Sequence, residues 1–140
     1  MRFLDTNILL RYFTRDDEAK AHKALVLLQR IENGEEKVET SLPVIFEIIF
    51  TLKKQYKMPI HRIREYLLPI LRLRGLKLPA KALCIAALHL FAERNISYAD
   101  AFNAVYMQAK GITEVYSWDT DFDRIEGITR IEPAGVNEAL

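Results

Sequence analysis

The sequence predicts an α/β fold, a doubly wound parallel sheet of about five strands with helices on both faces. Three observations predict it. Short runs of strand character recur near residues 2–4, 37–41, 75–78, 114–118 and 129–132. Between them lie longer segments whose apolar residues recur at helical spacing. Helix punctuation, with Ser41 and Pro43, Ser97, Gly34 and Gly111, falls at the joints between the two kinds of segment.

Taken in order, Arg2-Phe3-Leu4 forms the first strand and leaves Asp5 at its carboxyl end, where Thr6 or Asn7 caps a short helix through Arg11-Tyr12-Phe13. Residues 17–32 align Ala21, Ala24, Leu25, Leu28 and Ile31 on one helical face; Asp17 and Glu18 suit the positive end of the helix dipole, and the helix stops near Gly34. Lys37–Ser41 is the second strand. Ser41 and Pro43 start a helix that runs to about Tyr56, since the first turn needs no intrahelical N–H from proline. A helix over 59–74 pairs with it as a hairpin, and Pro69 predicts a kink or break there. Residues 75–78 form a third strand and 79–94 a strongly apolar helix; Ser97 opens a helix ending at Gly111, and 114–118 and 129–132 supply the last strands.

With 140 residues, half of them hydrophobic and 28% charged, the chain is expected to fold as one domain, 1–140. An acid at position 5 leaves no room for a signal-peptide apolar region, and no apolar run approaches the roughly 20 residues that cross a bilayer. A cytoplasmic protein with no membrane partner is expected. The single cysteine, Cys84, sits in an apolar stretch and reads as a small buried hydrophobe. Net charge is only +1, yet residues 53–81 hold nine Lys or Arg against Glu65 alone, which makes that segment +8 and the remainder −7. A segment of this kind suits approach to a phosphate backbone, with Lys53, Lys54, Arg62 and Arg64 as candidate contacts; a solvated helical face is the competing explanation.

Four acids interrupt apolar sequence, and an unpaired buried carboxylate is costly. Glu47 lies inside Pro43-Val44-Ile45-Phe46-Glu47-Ile48-Ile49-Phe50 and is expected to be shielded from water. Asp5 and Asp119 each end a strand, the place where open α/β sheets bind ligands. Glu47, about a turn into its helix, and Asp100, in the first turn of another, are expected to face the same end of the sheet. Carboxylates gathered in one cleft repel one another unless a cation holds them, and hard oxygen donors suit Mg²⁺ or Mn²⁺, which activate water against a phosphodiester. Each acid also has a structural explanation. Asp5 can cap a helix, Asp100 can complete a capping box with Ser97, Asp119 can belong to an ordinary acid-lined loop, and Glu47 can pair with an arginine.

Leu4-Asp5-Thr6-Asn7-Ile8-Leu9, Glu47 within Val44–Ile48, Asp100-Ala101 and Ser117-Trp118-Asp119-Thr120-Asp121-Phe122 follow one another across nearly the whole chain. In that order and spacing they resemble the PIN-domain ribonucleases, in particular the VapC-type toxins of bacterial and archaeal toxin–antitoxin pairs. The resemblance implies a PIN-like α/β sheet and RNA cleavage by Asp5, Glu47, Asp100 and Asp119. It implies Mg²⁺ or Mn²⁺ on Asp5, Asp100, Asp119 and Asp121, with Asn7 and Ser117 as supporting polar groups and Phe122 as an anchor. A homodimer and a small antitoxin partner are further implications. Trp118 departs from the pattern, being bulkier than the residue expected before Asp119.

Other chemistries fit less well. Asp119, Asp121 and Asp123 open like a calcium loop, but Arg124 and Arg130 stand where Gly and Glu are required. His22, His61 and His89 are scattered without zinc spacing, and no Gly-rich phosphate loop is present. A receiver-type phosphotransferase or a haloacid-dehalogenase-like phosphatase would also place an acid after the first strand, but Pro133 stands where the former needs Lys and Asn7 where the latter needs a second Asp. A non-catalytic scaffold that binds RNA or a protein is the remaining alternative.

Overall fold

Residues 1–134, those that the computed structural model describes, contain six α-helices and five short strands, and every strand pairing among them is parallel. The α/β class read from the alternating segments is therefore the one observed. The chain divides into two units, Met1–Ile85 and Ala86–Leu140.

The first unit carries β1 (Arg2–Phe3), α1 (Thr6–Thr14), α2 (Glu18–Glu32), β2 (Val38–Glu39), α3 (Leu42–Lys54), α4 (Ile60–Leu71) and β3 (Leu76–Lys77). Its strands lie in the order β1-β2-β3, with Arg2 opposite Val38 and Val38 opposite Leu76. The ladder continues past the strand ends. Leu4 N–H donates to Glu39 O at 2.8 Å, and Thr40 N–H donates to Lys77 O at 3.0 Å. The buried Thr40 hydroxyl also donates to Leu4 O at 2.8 Å, so two polar groups satisfy each other beside the start of α1. On α3 the stripe Val44, Ile45, Ile48, Ile49 and Leu52 is buried, and on α4 Ile63, Leu67, Ile70 and Leu71 are. α3 packs on α1 and α4, and α1 on α2.

Two local expectations shift. Asp5, rather than Thr6 or Asn7, occupies the N-cap position of α1, and Thr6 is already helical. Pro69 falls inside α4, but the helix ends two residues later at Leu71, so the missing N–H costs only a terminal bond. Gly75 admits the chain between α2 and β2: a Cβ there would sit 2.4 Å from Glu36 O and 2.8 Å from Ile31 O.

α5 (Lys81–Arg94) leads into the second unit, which continues with α6 (Tyr98–Lys110), β4 (Glu114–Tyr116), a 3₁₀ helix (Thr120–Arg124) and β5 (Thr129–Ile131). Ser97 caps α6 and Gly111, at φ +72°, ends it in the left-handed conformation that glycine adopts without a Cβ clash. β4 and β5 pair from Glu114–Thr129 to Tyr116–Ile131. Phe91 meets Tyr98 edge to face, with ring centroids 5.9 Å apart, and Phe122, Ile125 and Ile128 are buried. Among the described residues no helix is long and apolar enough to cross a membrane.

Candidate functional site

In the second unit three acids come together. The Ser97 hydroxyl accepts from Asp100 N–H at 3.1 Å, which fixes Asp100 in the first turn of α6. The capping geometry expected of Ser97 is thus present at the backbone of Asp100, and Ser97 also bonds the Asp100 carboxylate. Beyond β4, Ser117 Oγ accepts from Asp119 N–H at 2.9 Å, and Asp119 Oδ1 accepts from Asp121 N–H at 2.9 Å. These two short bonds turn the chain into the 3₁₀ helix, and buried Phe122 pins it to the interior. One carboxylate oxygen from each of Asp100, Asp119 and Asp121 lies within 4.8 Å of the other two.

Asp123 takes no part in this cluster. Arg130, arriving on β5, donates to its two carboxylate oxygens at 3.1 and 3.3 Å and to Glu132 at 2.9 Å. Arg124 lies 3.6 Å from Asp121 Oδ1 and donates to Asn95 O at 3.1 Å. Sequence reasoning uses these arginines only to reject a calcium loop and does not foresee their partners, which are set by strand pairing and loop path.

Protonation in the cluster is uneven. Partial burial pushes the Asp100 carboxyl up to about 6; its hydrogen bond with Asp119 and the negative charges of Asp119 and Asp121 add to this, while Ser97 pulls the other way. Asp119 moves below the ordinary range, first through the hydrogen bond from Asp100, then through Asp121 N–H and the nearby Arg124 and Arg130. Below about pH 6 one proton is therefore shared by the two acids, carried by Asp100 and donated to Asp119. A set of three carboxylates that otherwise retains a proton fits a hard divalent cation, which neutralises the same charge with oxygen donors.

The other acids lie in the first unit. Asp5 stands at the N-cap of α1 in extended geometry, exposed, with no side-chain capping bond. The cap explanation for its carboxylate is therefore not what this geometry uses. Buried Thr6 donates from Oγ1 to Glu47 Oε2 at 3.1 Å. Glu47 itself is exposed, contrary to the expected shielding. At helical spacing Glu47, Phe50 and Lys54 fall outside the buried stripe of α3, so its apolar neighbours in sequence do not enclose it. Asp119 is exposed as well, and Asp100 is half-buried. Glu47 enters no ion pair among the described residues, so the alternative explanation by an arginine partner does not apply, and a hydroxyl bonds it instead.

The remaining candidates are spread over the first unit. Asn7 is exposed and lines a 440 Å³ pocket with Arg11, Lys20 and Lys23. Lys54 and Arg62 are exposed, and Lys53 and Arg64 partly so. Thr6 escapes sequence reasoning as a partner of Glu47; its only signal is its place beside Asp5.

Compared with known families, residues 2–128 match a family model described as PIN domain. No curated protein shows a significant match to the chain.

Proposed function

On the premise that the chain belongs to the PIN-domain family, whose members are generally nucleases, we propose that it is a Mg²⁺- or Mn²⁺-dependent endoribonuclease hydrolysing single-stranded or structured RNA. The observation that carries this reading is the cluster of Asp100, Asp119 and Asp121 within 4.8 Å. The family match runs across both units, which supports taking the 140 residues as one domain.

In this reading Asp100, Asp119 and Asp121 hold the metal, with Asp5 as a further ligand. A bound divalent ion supplies charge neutralisation at the scissile phosphate and a more acidic water. Asp100 would hold the cation in its deprotonated form, and the cation would offset the negative charge that otherwise favours its protonation. Ser117 and buried Phe122 keep the Asp119–Asp121 turn in place, and Arg124 holds Asp121 from its other side. Glu47, oriented by the Thr6 hydroxyl, positions or deprotonates the attacking water. Lys54 and Arg62 contact the phosphate backbone, aided by Lys53 and Arg64.

The motif order supports the narrower role of toxin in a toxin–antitoxin pair, acting as a cytoplasmic homodimer restrained by a small antitoxin. The test is cleavage of labelled single-stranded RNA by the purified protein in Mg²⁺ or Mn²⁺, beside a chelated sample and the Asp5→Asn and Asp119→Asn variants. Cutting that all three controls abolish is expected. Cutting that survives both the chelator and the variants would end the proposal.

A further inference from the structure

Trp118, the residue that departs from the family pattern, immediately precedes Asp119 of the acidic cluster. Its indole is 71% exposed, and Tyr116, two residues earlier, is 75% exposed. Tyr116 is the last residue of β4, and Trp118 lies at the bend that follows it. Ser117, between the two, still donates to Ile131 O at 3.1 Å, so the extended pairing persists through it. Neither ring has a ring or hydrogen-bond partner among the described residues.

The backbone that carries these rings is nevertheless held firmly. Arg130 Nη1 donates to Ser117 O at 3.2 Å, and Ser117 Oγ receives Asp119 N–H. A large flat apolar face on a pinned segment is a preorganised surface, since little freedom is lost when a ligand covers it. Tryptophan also offers π-density to any base, purine or pyrimidine.

We propose that Trp118, with Tyr116 beside it, is the stacking platform for an unpaired nucleobase of a single-stranded nucleic acid whose phosphodiester backbone meets the Asp100–Asp119–Asp121 cluster; this deepens the nuclease reading and rests on it. Bases in a duplex are already stacked and paired, so the platform selects single strands over duplexes without selecting a base.

Trp118 is the one tryptophan of the chain, so its fluorescence reports on this position alone. The full-length protein is titrated, with Ca²⁺ in place of Mg²⁺, with a short end-labelled single-stranded RNA, the same RNA carrying abasic sites, and its duplex. Label anisotropy follows binding and indole emission follows stacking. The single strand is expected to quench the indole with the same midpoint that anisotropy gives, and the abasic strand and the duplex to bind more weakly. Trp118→Ala should weaken single-strand binding roughly 5- to 150-fold and Trp118→Phe should restore most of it. Calorimetric Mn²⁺ binding should stay unchanged in both variants.

RNA binding without quenching, or Trp118→Ala binding as the unaltered protein does, overturns the platform while metal-dependent cleavage keeps the nuclease reading standing. Quenching in a protein that never cleaves in Mg²⁺ or Mn²⁺ removes the nuclease reading and retains the platform. Indole emission that changes with protein concentration in the absence of RNA places the rings against a second copy of the chain and overturns the proposal, as does absence of any RNA binding.

Discussion

The buried Thr6 hydroxyl donates to Glu47 Oε2 at 3.1 Å, joining two positions 41 residues apart. Because Glu47 is exposed, its carboxylate can rehydrate if the donor is removed. Thr6→Val should therefore cost only about 1 kcal/mol in a urea melt, while RNA cleavage falls as the carboxylate loses its orientation. Thr6→Ser should recover most of both.

The proton on Asp100 makes the sign of one substitution unusual. A carboxyl raised to about 6 from the ordinary 3.8 binds more protons folded than unfolded between those values. The metal-free protein therefore has its full contribution from this group below the unfolded value and loses it as pH rises through about 6. Asp100→Asn retains a donor toward Asp119 and has no charge to suppress. In chelator at neutral pH it should melt higher than the unaltered protein, by on the order of 1 kcal/mol after solvent screening, and the two should converge near pH 4. The same variant should bind Mn²⁺ poorly by calorimetry.

Exposed Lys54 and Arg62 contribute to RNA affinity through counterion release in the proposed function. Reversing both to Glu should lower affinity and flatten its dependence on salt, by a slope of roughly 0.7 for each phosphate that is no longer neutralised. Anisotropy at several salt concentrations measures this, and Mn²⁺ binding serves as the control that the fold is intact.

Gly75→Ala tests close packing instead of chemistry. The added Cβ would meet Glu36 O at 2.4 Å and Ile31 O at 2.8 Å, both backbone atoms with little room to move. A loss of roughly 1–3 kcal/mol is expected from thermal or chemical denaturation. An unchanged midpoint would mean that the α2–β2 connection yields more readily than its hydrogen bonds imply.

Features written in local chemistry are legible in the chain itself. Ser97, Pro43 and Gly111 mark the ends of α3 and α6 because each acts within one turn, Ser97 through its hydroxyl and the other two through their backbone. The grouping of Asp100 with Asp119 follows from one residue in the first turn of a helix and one that follows a strand. The exposure of Glu47 is not legible, because hydrophobic composition around a residue does not say which face of the helix turns inward; Phe50 is apolar and 62% exposed. Nor does the acid-rich loop reveal that Asp121 joins the cluster while Asp123 faces Arg130, since that choice is made by a strand arriving later in the chain. The 3₁₀ helix after Asp119 is likewise hidden in the sequence, because one side-chain bond to Asp121 N–H decides it.

The hydrogen bond from Thr40 to Leu4 O has an evolutionary implication. It secures the chain just before Asp5, whose own side chain caps nothing. Foldability therefore exerts little pull on that carboxylate beyond the helix dipole, and a lineage without it would inherit an intact scaffold. In the proposed scheme, a cutting protein and a silent, binding descendant are then separated by one substitution at position 5, with no misfolded ancestor between them.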